Sequence, residues 1–277
     1  MASAHLDLCF PDWQPAGAAP SLQTGVLLLR DALAGSTALA EVPVEPAAPL
    51  TPAHGILGYA PIARQLRAAR ALVEARAPAT TFLIGGTCGA EVVPVSYLNA
   101  RYQGALTVIW FDAHGDLNTP RSSPSRHFHG MPLRTLLGDG APGLAEIVAR
   151  PLEPSQVILA GVRALDPPEA AYVQQHGVTH VHGTDLTTAD QLVDAVRRKG
   201  HPHVYLHVDV DVLDPASFSH LYLSVPGGLP LDALTQTIET LHRAFTVVGS
   251  SLVEFYPRDD TALRHVLPLV QAIRGAR

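Results

Sequence analysis

Two short segments carry residues whose types and spacing could do chemistry. The first, residues 108–120, reads VIWFDAHGDLNTP. In an extended chain alternate side chains share a face, so Asp112, His114 and Asp116, at i, i+2 and i+4 where an apolar strand runs out, point the same way. The second, HVDVDVLDP, repeats the pattern: Asp209 and Asp211 share a face, and His207, two residues earlier, falls on it as a support for the others or an additional ligand. Any one of these aspartates alone reads as a turn residue or helix cap. Together they make four carboxylates crowding strand ends, which repel one another in a low-dielectric site unless cations neutralise them. An oxygen-rich set with a nitrogen donor suits Mn²⁺, and less readily Mg²⁺ or Fe²⁺, whereas structural zinc calls for several Cys or His. Two such ions sharing a water lower its pKa enough for attack on an electrophilic carbon at neutral pH. The expected chemistry is metal-assisted hydrolysis with two Mn²⁺ per chain.

Such residues need rigid elements beneath them. Apolar, β-branched runs at 5–10, 80–86, 106–112, 156–162, 178–183, 203–210 and 246–255 read as strands. Between them, residues 62–77, 168–176, 189–199, 231–243 and 261–273 show apolar residues at helical spacing. Alternating strands and helices predict a mainly parallel sheet covered on both faces, with ligands gathering at the carboxyl ends of the strands. The Pro/Ala-rich residues 42–52 read as a loop, and Gly138, Gly140 and Gly143 fit a G-x-G-x-x-G pattern without the strand–turn–helix setting that gives it meaning. With 277 residues, 47% of them apolar, a single domain spanning 1–277 is expected.

Composition removes several function classes. No window approaches the roughly 18 to 20 unbroken apolar residues of a membrane span. The 19 basic residues are scattered and the net charge is −6, so neither nucleic acid nor a membrane surface is an expected partner. Two cysteines cannot build a disulfide framework, and the first residues do not read as a secretory signal, so a cytoplasmic location is expected. Of the 14 histidines, His5, His54, His176, His180, His182, His201, His203, His220, His242 and His265 lack partner spacing, and most of them read as surface or strand-end residues.

The motifs DAHGDLNTP, HFHGMP, GVRALDPPE, DVDVLDP and VEFYP, running in order between Gly85 and Pro257, together resemble the arginase (ureohydrolase) family. The resemblance implies a three-layer α/β/α sandwich, a binuclear manganese centre and hydrolysis of guanidinium or amidine carbon–nitrogen bonds. It makes Asp112 and Asp209 bridging carboxylates, His114 and Asp211 the other ligands of one ion, and Asp116 a ligand of the second. His129 matches the acid/base histidine, a role needing a group that titrates near neutral pH. Glu254 matches the glutamate that pairs with the substrate guanidinium. Asn118, Ser125, Asp166 and Glu169 match residues that hold an α-amino-acid end, which favours an arginine-like guanidino amino acid over agmatine.

One departure bears on all of this. Where the family reads Gly-Gly-Asp-His, this chain has Gly85, Gly86, Thr87 and Cys88, so Cys88 takes the place of the sixth ligand. A thiolate is softer than imidazole and adds negative charge. Three functional readings follow. The first is an arginase yielding ornithine and urea. The second is an amidinohydrolase acting on Nω-hydroxy-L-arginine, whose family member carries Cys at this position but lacks a counterpart of His129, or of formimidoylglutamase or agmatinase type. The third is a non-catalytic binding relative, disfavoured because His129 and Glu254 are both kept. Oligomeric state is left open by the sequence.

Overall fold

A computed structural model of the protein describes residues 5–17, 19–183, 186 and 189–275. Strand β1 (His5–Phe10) leads through α1 (Ser21–Leu33) to the edge strand β2 (Ala40–Glu41), and a small antiparallel pair, β3 (Pro52–Ala53) and β4 (Ile56–Leu57), precedes α2 (Tyr59–Arg76). Next come β5 (Thr80–Gly85), α3 (Val92–Arg101), β6 (Leu106–Phe111), the short α4 (Pro132–Leu136), β7 (Val157–Ala160), α5 (Pro167–His176) and β8 (Thr179–Val181). The chain continues through α6 (Asp190–Lys199), β9 (His203–Val208), α7 (Leu231–Ala244), β10 (Thr246–Leu252) and α8 (Ala262–Arg274).

Eight strands form one sheet in the order β2-β1-β5-β10-β9-β6-β7-β8, and every pairing in it is parallel. Parallel strands need crossovers, and the helices that supply them cover both faces. One face packs α1, α6, α7 and α8 against Phe82, Ile109, Phe111, Leu206 and Val208. The other packs α2 over β1 and β5, and α3, α4 and α5 around Val108, Trp110, Leu159 and Tyr205. The architecture is the expected three-layer α/β/α sandwich.

Helices α1, α3 and α4 have no counterpart in the sequence reading. Buried along most of its length (Val92, Val93, Pro94, Val95, Ser96, Leu98, Asn99), α3 lacks the polar face on which helical periodicity depends. In α1 a glycine sits at the packed surface, where a Cβ on Gly25 would stand 1.9 Å from the Phe255 carbonyl oxygen. Among the histidines without partner spacing, His220 is the buried exception, 1% exposed, accepting the Arg258 backbone N–H and 3.4 Å from His265.

Sheet order positions the site. Strands β9 and β10, late in the sequence, sit between β5 and β6, so the carboxyl ends of β5, β10, β9 and β6 lie side by side. Substituting Gly25→Ala should push α1 off the loop that follows β10. The expected cost is about 2 kcal/mol, seen in a thermal melt as a drop of roughly 5 °C.

Candidate metal centre

Two strand ends are built by the same device. Asp112, the first residue past β6, accepts the His114 backbone N–H on Oδ1 at 2.7 Å; Asp209, the first past β9, accepts the Asp211 N–H on Oδ1 at 2.8 Å. Each leading carboxylate curls its own motif into a turn. The extended alternation expected from the sequence therefore stops at Phe111 and Val208, and the turns bring the later residues back toward the first. The two turns are stitched together, since the Ala113 N–H donates to Asp211 Oδ1 at 2.9 Å and His114 Nδ1 lies 2.9 Å from Asp211 Oδ2. Asp116 follows with φ +52°, a left-handed conformation that non-glycine residues rarely adopt. Glu254, just past β10, has φ +59°. Strained backbone at two site carboxylates accords with a functional role.

Cys88 opens a 3-10 turn, Cys88–Glu91, after β5. Its Sγ lies 3.0 Å from Asp209 Oδ2 and 3.9 Å from Asp112 Oδ2. Asp12, on the loop after β1, holds this turn by accepting the Gly86 and Thr87 backbone N–H groups and the Thr87 hydroxyl, at 3.0, 3.1 and 2.6 Å. The sequence reading missed Asp12, which no spacing connects to residue 87. It also missed Arg163, whose guanidinium donates to the carbonyls of Asp211 and Val225 at 2.8 and 2.7 Å and so anchors the second turn from behind. A third omission is Glu91, fully buried on the Cys88 turn; a carboxylate in the apolar run AEVVPV was the available signal.

The six predicted ligands come together. Donor atoms of Cys88, Asp112 and Asp116, joined by His207, lie within 4.8 Å of one another, as do those of Cys88, Asp209 and Glu254, and those of Asp112, His114 and Asp211. Without metal the electrostatics are costly. Burial, then the charge of Asp211, pushes Asp209 well above the usual carboxylate range, and burial with Asp112 does the same to Asp116. Asp211 rises to about 6 through burial and Asp112. Burial and the surrounding carboxylates push the Cys88 thiol well up. Burial opposes charge on His114 too, yet Asp112 and Asp211 hold the imidazolium up to about 12. Asp116 Oδ2 is buried without a hydrogen bond. An orphaned carboxylate oxygen amid other anionic donors fits divalent cations, because only added positive charge lets all of these groups ionise together.

Above the cluster a cavity of about 280 Å³ is lined by five of the six predicted ligands, His129, Glu254, Asn118, Ser125, Asp166 and Glu169, with no Lys or Arg among its described lining residues. His129 Nδ1 pairs with Glu254 Oε1 at 2.8 Å. Burial disfavours charge on His129, but the Glu254 carboxylate holds its pKa above the usual imidazole value. The candidate substrate-binding residues are engaged locally. Asn118 Nδ2 donates to Asp166 Oδ2 at 2.8 Å, and Ser125 Oγ accepts the His127 N–H at 3.1 Å. Glu169 receives the Leu117 and Asp166 backbone N–H groups, both at 2.8 Å, so its carboxylate caps α5 and ties that helix to the loop after Asp116.

A sequence model described as "Arginase family" matches residues 39–273. The chain belongs to the arginase family. A Staphylococcus aureus arginase is 33% identical over 184 residues, covering 64% of this chain and 61% of the relative, so the chain spans under two thirds of that protein. In three dimensions the crystal structure of Entamoeba histolytica arginase with L-ornithine superposes with a TM-score of 0.87 over 100% of both chains at 20% identity. The formimidoylglutamase of Bacillus subtilis superposes at 0.72, with 21% identity, over 98% of this chain and 86% of that one. At such identities the superpositions speak for the arginase-family fold alone.

The protonation pattern has a measurable consequence. At neutral pH the metal-free cluster holds protons on His114 and Cys88, burial and neighbouring carboxylates raise the proton affinity of Asp116 and Asp209 as well, and cations must displace what is bound. Metal affinity should therefore rise with pH, by more than about tenfold per unit near neutrality. Calorimetric titration in buffers of different ionisation heat should show more than one proton released per chain.

Proposed function

We propose that this protein hydrolyses the guanidinium C–N bond of an arginine-like amino acid, most simply L-arginine to L-ornithine and urea, with two Mn²⁺ as cofactor. The observation that carries the reading is a cavity whose described lining is acidic and free of Lys and Arg, placed over the cluster of Cys88, Asp112, His114, Asp116 and Asp209, with a His129–Glu254 pair beside it. Such a cavity suits a cationic substrate. The E. histolytica relative crystallised with L-ornithine supports an amino-acid substrate of this shape.

Bound manganese would supply the charge that lets the carboxylates ionise and would lower the pKa of a shared water. Cys88, Asp112, His114, Asp116, Asp209 and Asp211 would hold it. The Glu254 carboxylate offers an anionic partner to the guanidinium, while its bond to Nδ1 favours the protonated form of His129 and leaves Nε2 to hold a proton for the leaving amine. Asn118, Ser125 and Asp166 border the region where the amino-acid end would lie, and Glu169 fixes that border through its two backbone amides. The described cysteines, Cys9 and Cys88, are both free, which suits a reducing, cytoplasmic location.

Cys88 favours one second reading, hydrolysis of Nω-hydroxy-L-arginine to hydroxyurea and ornithine. A hydroxyguanidine carries a less basic group, so a water less activated by a thiolate-bound ion suffices. Formimidoylglutamate is disfavoured because it brings a second carboxylate, without arginine's α-ammonium group, into an acidic cavity whose described lining holds no Lys or Arg.

The deciding experiment incubates the Mn²⁺-loaded protein with L-arginine, Nω-hydroxy-L-arginine, agmatine and formimidoylglutamate, and measures ornithine, urea and hydroxyurea. Turnover of an arginine-type substrate is expected; none at two metals per chain would overturn the proposal. His129→Asn should lower kcat by about 10² to 10⁴ with little change in KM, as expected for loss of a proton donor.

A further inference from the structure

Beside the strand-end carboxylates lies a buried polar set that the six ligands leave unused. His207, on β9, is 0% exposed, and neither ring nitrogen completes a hydrogen bond. Nδ1 stands 3.2 Å from Glu91 Oε1, and Nε2 stands 3.6 Å from Asp112 Oδ2. The buried ring thus lies between two carboxylates, within ion-pair range of both but completing a hydrogen bond to neither, which leaves its nitrogens open to a better placed partner.

Everything around the ring holds it in one orientation. Trp110 stacks on it, with centroids 3.5 Å apart and planes 18° from parallel. Glu91, itself fully buried, receives the Tyr205 hydroxyl on Oε2 at 2.7 Å and keeps Oε1 for the His207 side, where that oxygen makes no hydrogen bond. The neighbouring strand β10 yields space to Tyr205, since a Cβ on Gly249 would lie 2.3 Å from the Tyr205 ring. Tyr205, Glu91 and His207 thus form a line ending at Nε2, on the Asp112 side. A ring nitrogen of His207 also lies within 4.8 Å of donor atoms of Cys88, Asp112 and Asp116, among them the carboxylate whose Oδ2 is unpartnered.

We propose that His207 is a seventh protein ligand, binding metal through Nε2 together with Cys88, Asp112 and Asp116, and that Glu91 is its positioning residue. This rests on the reading above that the cluster binds two divalent ions. A metal-bound histidine commonly directs its other nitrogen at a carboxylate, which fixes the tautomer and strengthens the ligand. Here Glu91 is that carboxylate, held in turn by Tyr205. Imidazole also adds a strong donor without adding to the negative charge of a thiolate and several aspartates at the same position.

X-ray absorption on the Mn²⁺-loaded wild-type protein tests this by counting imidazoles, and it requires no variant to fold. Two per metal pair, from His114 and His207, are expected, falling to one in His207→Asn. Glu91→Gln should keep the fold by circular dichroism and weaken one of the two metals by about 10- to 100-fold. One imidazole per metal pair in the wild type, or two persisting in His207→Asn, would overturn the inference and leave the proposed function standing. Failure of the wild-type protein to bind two ions would overturn both.

Discussion

Asp112, Asp116, Asp209 and Asp211 are buried in overlapping clusters of donor atoms, and the repulsion among their carboxylates is the condition to which the rest of this end of the molecule responds. In a low dielectric the charges cannot coexist unaided. The protein offers partial relief with a charged His114, with backbone N–H groups and with a raised proton affinity at Asp116 and Asp209. None of these removes the excess of acceptors over donors. A site left in that state is poised for cations, and its remaining energetic deficit is a source of metal affinity.

Holding the groups in such proximity requires a scaffold that does not yield. Four adjacent parallel strands, β5, β10, β9 and β6, each deliver one part of the centre, and their side-by-side hydrogen bonding fixes the spacing between parts. The turns that follow are self-locking, because the leading carboxylate of each motif is also its backbone cap. Left-handed backbone at Asp116 and Glu254 is tolerated where packing over-determines it, as it does around these two nearly sealed side chains.

How far all this could be read from the chain depended on the range of the interaction. The alternating DAHGD and DVD segments announce themselves because residues two apart act together, and the apolar runs under them mark a buried parallel sheet. Legibility ended where partners are distant in sequence. Asp12 reaches Thr87 across 75 positions, Tyr205 reaches Glu91 across 114, and no local pattern couples either pair. Helix α3 was invisible for a related reason: sunk between sheet and neighbouring helices, it has no solvent side to impose a period. Glu169 shows the reverse case, a residue whose place in the cavity wall was legible while its engagement by two backbone amides was not.

The insertion of β9 and β10 between β5 and β6 also orders events during synthesis. When β6, β7 and β8 have left the ribosome, the middle of the sheet is still missing, so β5 and β6 have no direct neighbour in each other. At about 5 to 20 residues per second, seconds pass before Asp209, Asp211 and Glu254 are made. A nascent chain can present the residue 112–116 segment to a metal ion, but it cannot enclose one. Metal capture is thereby deferred to the closing of the sheet, and a truncated product carries no competent centre.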